Sequence, residues 1–146
     1  MDQTSPLPRR GVLVGIDHGA KRIGVAVTDA AQTIAMPLET IAVRTPALAL
    51  QRLQQIARDY RAVGWVIGLP MHMSGEEGTQ AAKARQFGDR LGRETALPVE
   101  YWDERLSSSE AETLLWSRGE TPEKKSGRID GLAAQVLLEA YLRGRA

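Results

Sequence analysis

Two short apolar runs, Gly11–Ile16 and Ile23–Val27, stand only six residues apart. A crossover between parallel strands takes a dozen residues or more, so runs this close fit two buried strands folded back on each other through a tight turn. The first run ends in Asp17, and the turn carries His18-Gly19-Ala20-Lys21-Arg22. A carboxylate at the end of a buried strand is costly unless a cation or a hydrogen-bonding partner neutralises it. Taken alone, Asp17 is read more simply as a residue that holds the turn with its own side chain.

The rest of the chain extends the hairpin into a sheet. Strands are expected at about 11–17, 22–29 and 33–44, an antiparallel meander. Thr45-Pro46 then supplies a cap residue and a first-turn proline, and Ala49, Leu53, Ile56, Ala57 and Tyr60 recur at helical spacing. Val63–Ile67 reads as a fourth strand that stops at Gly68-Leu69-Pro70, followed by a polar, glycine-bearing loop from Met71 to Gly78. A helix near 79–94 turns Ala84, Phe87 and Leu91 to the core, and Pro98–Trp102 reads as a fifth strand. Ser107 and Glu110 have capping-box spacing for a helix through Trp116 that Gly119 ends, and a last helix is expected from near Gly127 to Leu142. The order β-β-β-α-β-α-β-α-α predicts an α/β domain of the ribonuclease H-like architecture. Its five-stranded mixed sheet has helices on both faces, the two later strands being parallel because each follows a helix. With 146 residues there is material for one domain, assigned to 11–146, and residues 1–10, with their prolines and arginines, read as a flexible tail.

Three acidic positions fall where this topology could bring them together. Asp17 ends the first strand, Asp103-Glu104 end the fifth, and Asp130 lies in the first turns of the last helix. Asp130 lies three residues before Ala133 and seven before Leu137, in a stripe with Val136, Ala140 and Tyr141, and is therefore expected on the core-facing side. Strand alternation puts Asp103 and Glu104 on opposite faces, so only one can join Asp17. Such a cluster of oxygen ligands suits Mg²⁺ or Mn²⁺, and phosphodiester cleavage is chemistry that such ions support. Each acid also has an ordinary account: a turn, a surface ion pair, or favourable charge at a helix N-terminus. Lys21, Arg22, Arg105, Lys124, Lys125 and Arg128 fall near the acids and form a candidate rim for substrate phosphates. Trp65, Trp102 and Trp116 are better read as core residues than as platforms for bases.

Composition narrows the choice further. There is no cysteine, which removes disulfides, thiolate metal sites and a thiol nucleophile. His18 and His72 are the only histidines, too few and too separated for a zinc site. A net charge of +1 excludes a polycation but leaves room for a local basic patch. No secretory signal or membrane span is visible, so a cytoplasmic protein without membrane association is expected.

Four segments then resemble, in order, the signatures of the bacterial YqgF/RuvX group. They are Gly15–Ala26, Gly68–Gly78, Asp103–Glu112, and Lys124-Lys125 through Asp130–Ala134. His18 and Ala20 stand where that group commonly has tyrosine and threonine, and Gly131 stands in place of a small helix former. The resemblance implies a ribonuclease H-like fold and divalent-metal phosphodiester cleavage with Mg²⁺ or Mn²⁺. It places the acidic residues, both catalytic and metal-ligating, on Asp17, Glu104 and Asp130. It also implies processing of the 5′ end of pre-16S ribosomal RNA, with the small ribosomal subunit precursor as partner. Resolution of Holliday junction DNA is the alternative, although the fourth strand ends without the carboxylate of junction resolvases. A non-catalytic RNA-binding assembly factor is a further alternative. A nucleotide-binding module like those of sugar kinases is disfavoured, since such proteins bind ATP between two domains and this chain supplies one.

Overall fold

The computed structural model describes residues 6–72, 74–106 and 131–145. Strands β1 (Val12–His18), β2 (Arg22–Thr28) and β3 (Ala35–Ala42) form the expected antiparallel meander. Helix α1 (Pro46–Tyr60) returns the chain to β4 (Ala62–Leu69), which lies parallel to β1. Helix α2 (Thr79–Thr95) then returns it to β5 (Val99–Asp103), parallel to β4. A single 3₁₀ turn, Glu104–Leu106, continues β5. The last helix described is α3 (Leu132–Gly144). The strand order is β3-β2-β1-β4-β5, a five-stranded mixed sheet as the chain order required.

Alternation along the strands divides the core in two. Val14, Ile16, Ile23, Val25, Trp65 and Ile67 face one side and bury Leu50, Leu53 and Ile56 of α1 and Phe87 and Leu91 of α2. Leu13, Ala26 and Val66 face the other and bury Ala134, Leu138 and Tyr141 of α3. Gly15 lies under Leu138, where any side chain would collide with the leucine. Helices therefore cover both faces. Thr45 caps α1 by accepting from the Leu48 amide, as its place before Pro46 predicts. Trp65 is fully buried, its indole donating to Thr95, and Trp102 packs edge-on against Tyr141, so both are core residues.

Several expectations need correction. Tyr60 was assigned to the apolar face of α1, yet it is 40% exposed, because the helix ends there and Arg61 turns into the left-handed region. Ala133 is exposed: the buried stripe of α3 runs through Leu132, Ala134, Val136, Leu137, Leu138, Ala140 and Tyr141. The described helix follows Gly131, which at φ +75° stands outside helical geometry, and Asp130 lies outside the described residues. Part of the segment expected as a tail over residues 1–10 touches the domain. Leu7 is buried against Gly64 within the α3-side core, and Gln32 Nε2 donates to the carbonyl oxygens of Pro8 and Gly11. The helix expected from Ser107 through Trp116 lies outside the described residues, as does the start of the last helix at Gly127. Among the described residues no helix is long and apolar enough to cross a membrane.

Candidate active site

β1, β4 and β5 run parallel, so their C-terminal ends share one edge of the sheet, and β1 turns there into β2. On the α3 side of that edge, side chains follow from strand phase. Leu13, Gly15 and Asp17 alternate towards α3, as do Gly64, Val66 and Gly68 on β4. On β5 the same face carries Glu100, whose carboxylate accepts from Tyr141 Oη, and Trp102. Tyr101 instead turns to α2, donating to the Arg85 carbonyl and to Asp89. The next side chain in phase with Trp102 is Glu104, so the alternation left open by the sequence resolves in favour of Glu104 over Asp103.

The carboxyl groups of Glu104 and Asp17 hydrogen-bond to each other. Two carboxyl groups this close oppose each other's ionisation, which favours the protonated form of Glu104. Burial, the Asp17 charge and that hydrogen bond together push Glu104 up to about 8, while Asp103 adds a smaller repulsion. Gly68 makes the room: a Cβ there would lie 2.6 Å from Glu104 Oε2 and 2.8 Å from its Cγ. The Glu104 carboxyl thus occupies the space directly above β4, where the strand itself offers no side chain. Sequence reading registered Gly68 only as the end of a strand; the contact that makes it part of the site needed β5 to be placed beside β4.

Asp103, on the opposite face, pairs with Arg105 at 2.6 Å, and the guanidinium holds its carboxyl below the usual carboxylate range. His18 also turns away from Asp17. It is half-buried with its ring 4.9 Å from that of Phe87, and burial lowers its pKa from 6.5 more than the Asp17 charge raises it. Lys83, one turn before Phe87 on α2, opposes the charged form of His18 as well and is a cation near this edge.

Of the expected rim, Lys21 and Arg22 are exposed beside Asp17. They lie in a turn closed by the Gly19 amide donating to the Arg22 carbonyl, and Val43 N donates to Lys21 O. Asp130, Lys124, Lys125 and Arg128 lie outside the described residues. Their neighbour Gly131 is fixed closely, however. Its Cα lies 4.0 Å from the Cβ position of Gly24, which is itself 3.6 Å from Asp17 Cβ, and its amide donates to Thr40 Oγ1 at 3.3 Å. The chain thus enters α3 beside Asp17. Among the described residues no group of three or more metal-ligating side chains is complete. The two that meet are hard oxygen donors, a pair suited to a small divalent cation that would take the place of the Glu104 proton.

Known proteins share this framework. The solved complex of Thermus thermophilus RuvC with a Holliday junction substrate matches it with a TM-score of 0.59 at 20% identity, covering 91% of this chain and 95% of that one. That likeness shows the ribonuclease H-like fold. A protein of Anaeromyxobacter sp. (strain K), named "Putative pre-16S rRNA nuclease", is 43% identical over 133 residues, 91% of this chain and 97% of that protein. A protein of the same name from Symbiobacterium thermophilum is 43% identical over 132 residues, 90% of this chain and 92% of its own length. A family model described as "RuvX: Holliday junction resolvase" matches residues 11–144. With four ordered motifs, the sheet order and these matches in agreement, the chain belongs to the RuvX family.

Proposed function

We propose that this protein is a divalent-cation-dependent endonuclease that processes the 5′ end of pre-16S ribosomal RNA in the cytoplasm, acting on the small ribosomal subunit precursor. The observation that carries the chemistry is the meeting of the Asp17 and Glu104 carboxyl groups at the C-terminal edge of three parallel strands. The substrate rests on relatives named for pre-16S RNA that match nearly the whole chain.

Asp17 and Glu104 would hold the cation through their carboxylate oxygens, with Asp130 the third ligand, entering from the segment that leads into Gly131. A bound Mg²⁺ or Mn²⁺ supplies Lewis-acid stabilisation of the attacking and leaving oxygens in phosphodiester cleavage. To receive it, Glu104 would lose its proton, so cation affinity should rise with pH through the range where Glu104 titrates. Lys21 and Arg22 stand on the same edge and would hold backbone phosphates, together with Lys124, Lys125 and Arg128.

Junction resolution is the second reading, favoured by the description of the family model and by the RuvC-like fold. Against it stands Gly68. A carboxylate on that strand position would need the space that Glu104 fills.

The test compares two substrates under Mg²⁺ or Mn²⁺: a single-stranded RNA carrying the 16S 5′ leader and a four-way DNA junction. The RNA should be cut faster, and Asp17→Asn should cut neither, which controls for contaminating ribonuclease. Symmetric cleavage of the junction with the RNA left intact gives the resolvase reading. Cleavage of neither by folded protein with cation present gives the assembly-factor reading.

A further inference from the structure

Arg105 lies next to Glu104, where a cation would ordinarily be taken for a phosphate contact. Its guanidinium is committed elsewhere. Nε donates to Asp103 Oδ1 and Oδ2 at 3.1 and 3.0 Å, and Nη2 donates to Oδ2 at 2.6 Å. The Arg105 amide also donates to Asp103 Oδ1 at 2.9 Å, so the two residues close a turn with Glu104 between them. Nη1 reaches across to the His72 carbonyl at 3.4 Å, and the guanidinium lies 3.7 Å from the Cβ position of Gly75.

The segment it reaches is closed on itself. The His72 amide donates to the Glu76 carbonyl and the Gly75 amide to the His72 carbonyl, both at 2.8 Å, while Met71 and Glu77 form an isolated bridge. Gly75 holds φ +90° at the point where the guanidinium covers it. The loop follows directly from Gly68-Leu69-Pro70, the strand end over which Glu104 lies.

We propose that Arg105 and Asp103 are positioning residues: their fork closes the turn around Glu104, pins the 71–77 loop beside it, and so aims the Glu104 carboxyl at Asp17. This rests on the reading of Asp17 and Glu104 as cation ligands. A phosphate contact needs an uncommitted fork; this side chain is 40% exposed, but its donors are taken by a carboxylate and reach a backbone carbonyl. The bidentate arrangement also demands arginine, since lysine carries the charge without the planar pair of donors.

The experiment measures Mn²⁺ affinity by titration calorimetry, steady-state cleavage of the leader RNA, and RNA binding in EDTA across a salt series. The proteins are wild type, Glu104→Gln, Asp103→Asn, Arg105→Ala, Arg105→Lys and the Asp103→Asn/Arg105→Ala double variant, each checked for folding by circular dichroism. Asp103→Asn, Arg105→Ala and Arg105→Lys should each weaken Mn²⁺ binding about tenfold or more, the usual scale for residues that orient a ligand. The double variant should be no weaker than either single one, because both remove the same turn. kcat should fall with KM nearly unchanged, and the slope of RNA affinity against salt should stay that of wild type. If Arg105→Ala does not fold, Asp103→Asn and Arg105→Lys carry the test. Wild-type Mn²⁺ affinity in these variants, with KM raised and the salt slope reduced by about one, would make Arg105 a phosphate contact and overturn the proposal. Folded wild type that binds no Mn²⁺, or Glu104→Gln that binds it normally, would overturn the cation reading itself and the positioning role with it.

Discussion

Glu104 is a group whose proton the fold holds more tightly than the unfolded chain does. Its pKa rises from 4.5 to about 8, so between those values the folded protein keeps a proton that the unfolded chain has lost. The stability of cation-free protein must therefore fall as pH rises through that window and level off above it. A tenfold change in proton affinity is worth about 1.4 kcal/mol, which makes the decline on the order of 3 kcal/mol after allowing for solvent screening. Glu104→Gln should flatten this slope in urea melts run in EDTA from pH 4 to 9, and it should be more stable than wild type at pH 8. Unchanged pH dependence would assign the slope to a group other than Glu104. Gly68 offers the complementary test at the same point. The nearest atoms an added methyl meets all belong to the Glu104 side chain, from Cγ to Oε2, and that side chain must shift to admit it. Gly68→Ala should thus alter stability by less than about 1 kcal/mol, as for substitutions that disturb no packed core, yet lower Mn²⁺ affinity about tenfold by displacing a ligand. Calorimetric titration beside a thermal melt separates the two effects.

At the scale of elements, legibility followed from whether a pattern fixes phase as well as type. The β1–β2 hairpin was readable because two apolar runs too close for a crossover have few ways to join. α1 was readable because Thr45-Pro46 marks its start and its buried residues keep helical spacing. β5 was readable as a strand but not in phase: Tyr101 and Trp102 are both aromatic, so neither face reads as the polar one. Only their partners, Asp89 and Arg85 on one side and Tyr141 on the other, show which way Glu104 must turn. The phase of α3 failed for a related reason. Ala133 has the right spacing but so has Ala134, and the choice is made by Gly131, whose residue type the family comparison had marked as a departure inside a helix. In the structure it precedes the helix. A side chain there would strike the Val25 carbonyl and approach the Leu38 amide at 2.9 Å, and φ is +75°. Glycine is what lets the chain pass this close to β2 and β3 on its way into α3. The acids were legible as residue types at strand ends. Their mutual geometry was not, because it depends on which strands become neighbours.

Across the whole molecule the sheet has two ends with different tasks. The C-terminal edge of β1, β4 and β5 gathers like charges and a glycine-made gap, features that weaken a fold. The opposite end is tied together by one residue in the turn between β2 and β3. Gln32 is 4% exposed at φ +58°; its amide nitrogen donates to the Pro8 and Gly11 carbonyls at 2.9 and 3.0 Å, and its carbonyl oxygen accepts from Arg145 Nη1. Three distant parts of the chain, the N-terminal segment, the turn and the end of α3, thus meet on a single side chain. Nothing in the local sequence marks it, since a glutamine in a turn between strands is ordinary and its partners are remote in the chain. Gln32→Ala leaves two backbone carbonyls and an arginine without these bonds. By the usual scale for losing buried hydrogen-bonding partners it should cost about 1–3 kcal/mol in urea melts. The site lies at the other end of β1 and β2, so Mn²⁺ affinity should stay at the wild-type value. Combined with Glu104→Gln, the two stability changes should add within about 0.5 kcal/mol, as for sites that share no partners. A loss of Mn²⁺ affinity in folded Gln32→Ala, or clear non-additivity, would show that the ordering of the far end reaches the carboxylates through β1, and the separation of the two ends would have to be abandoned.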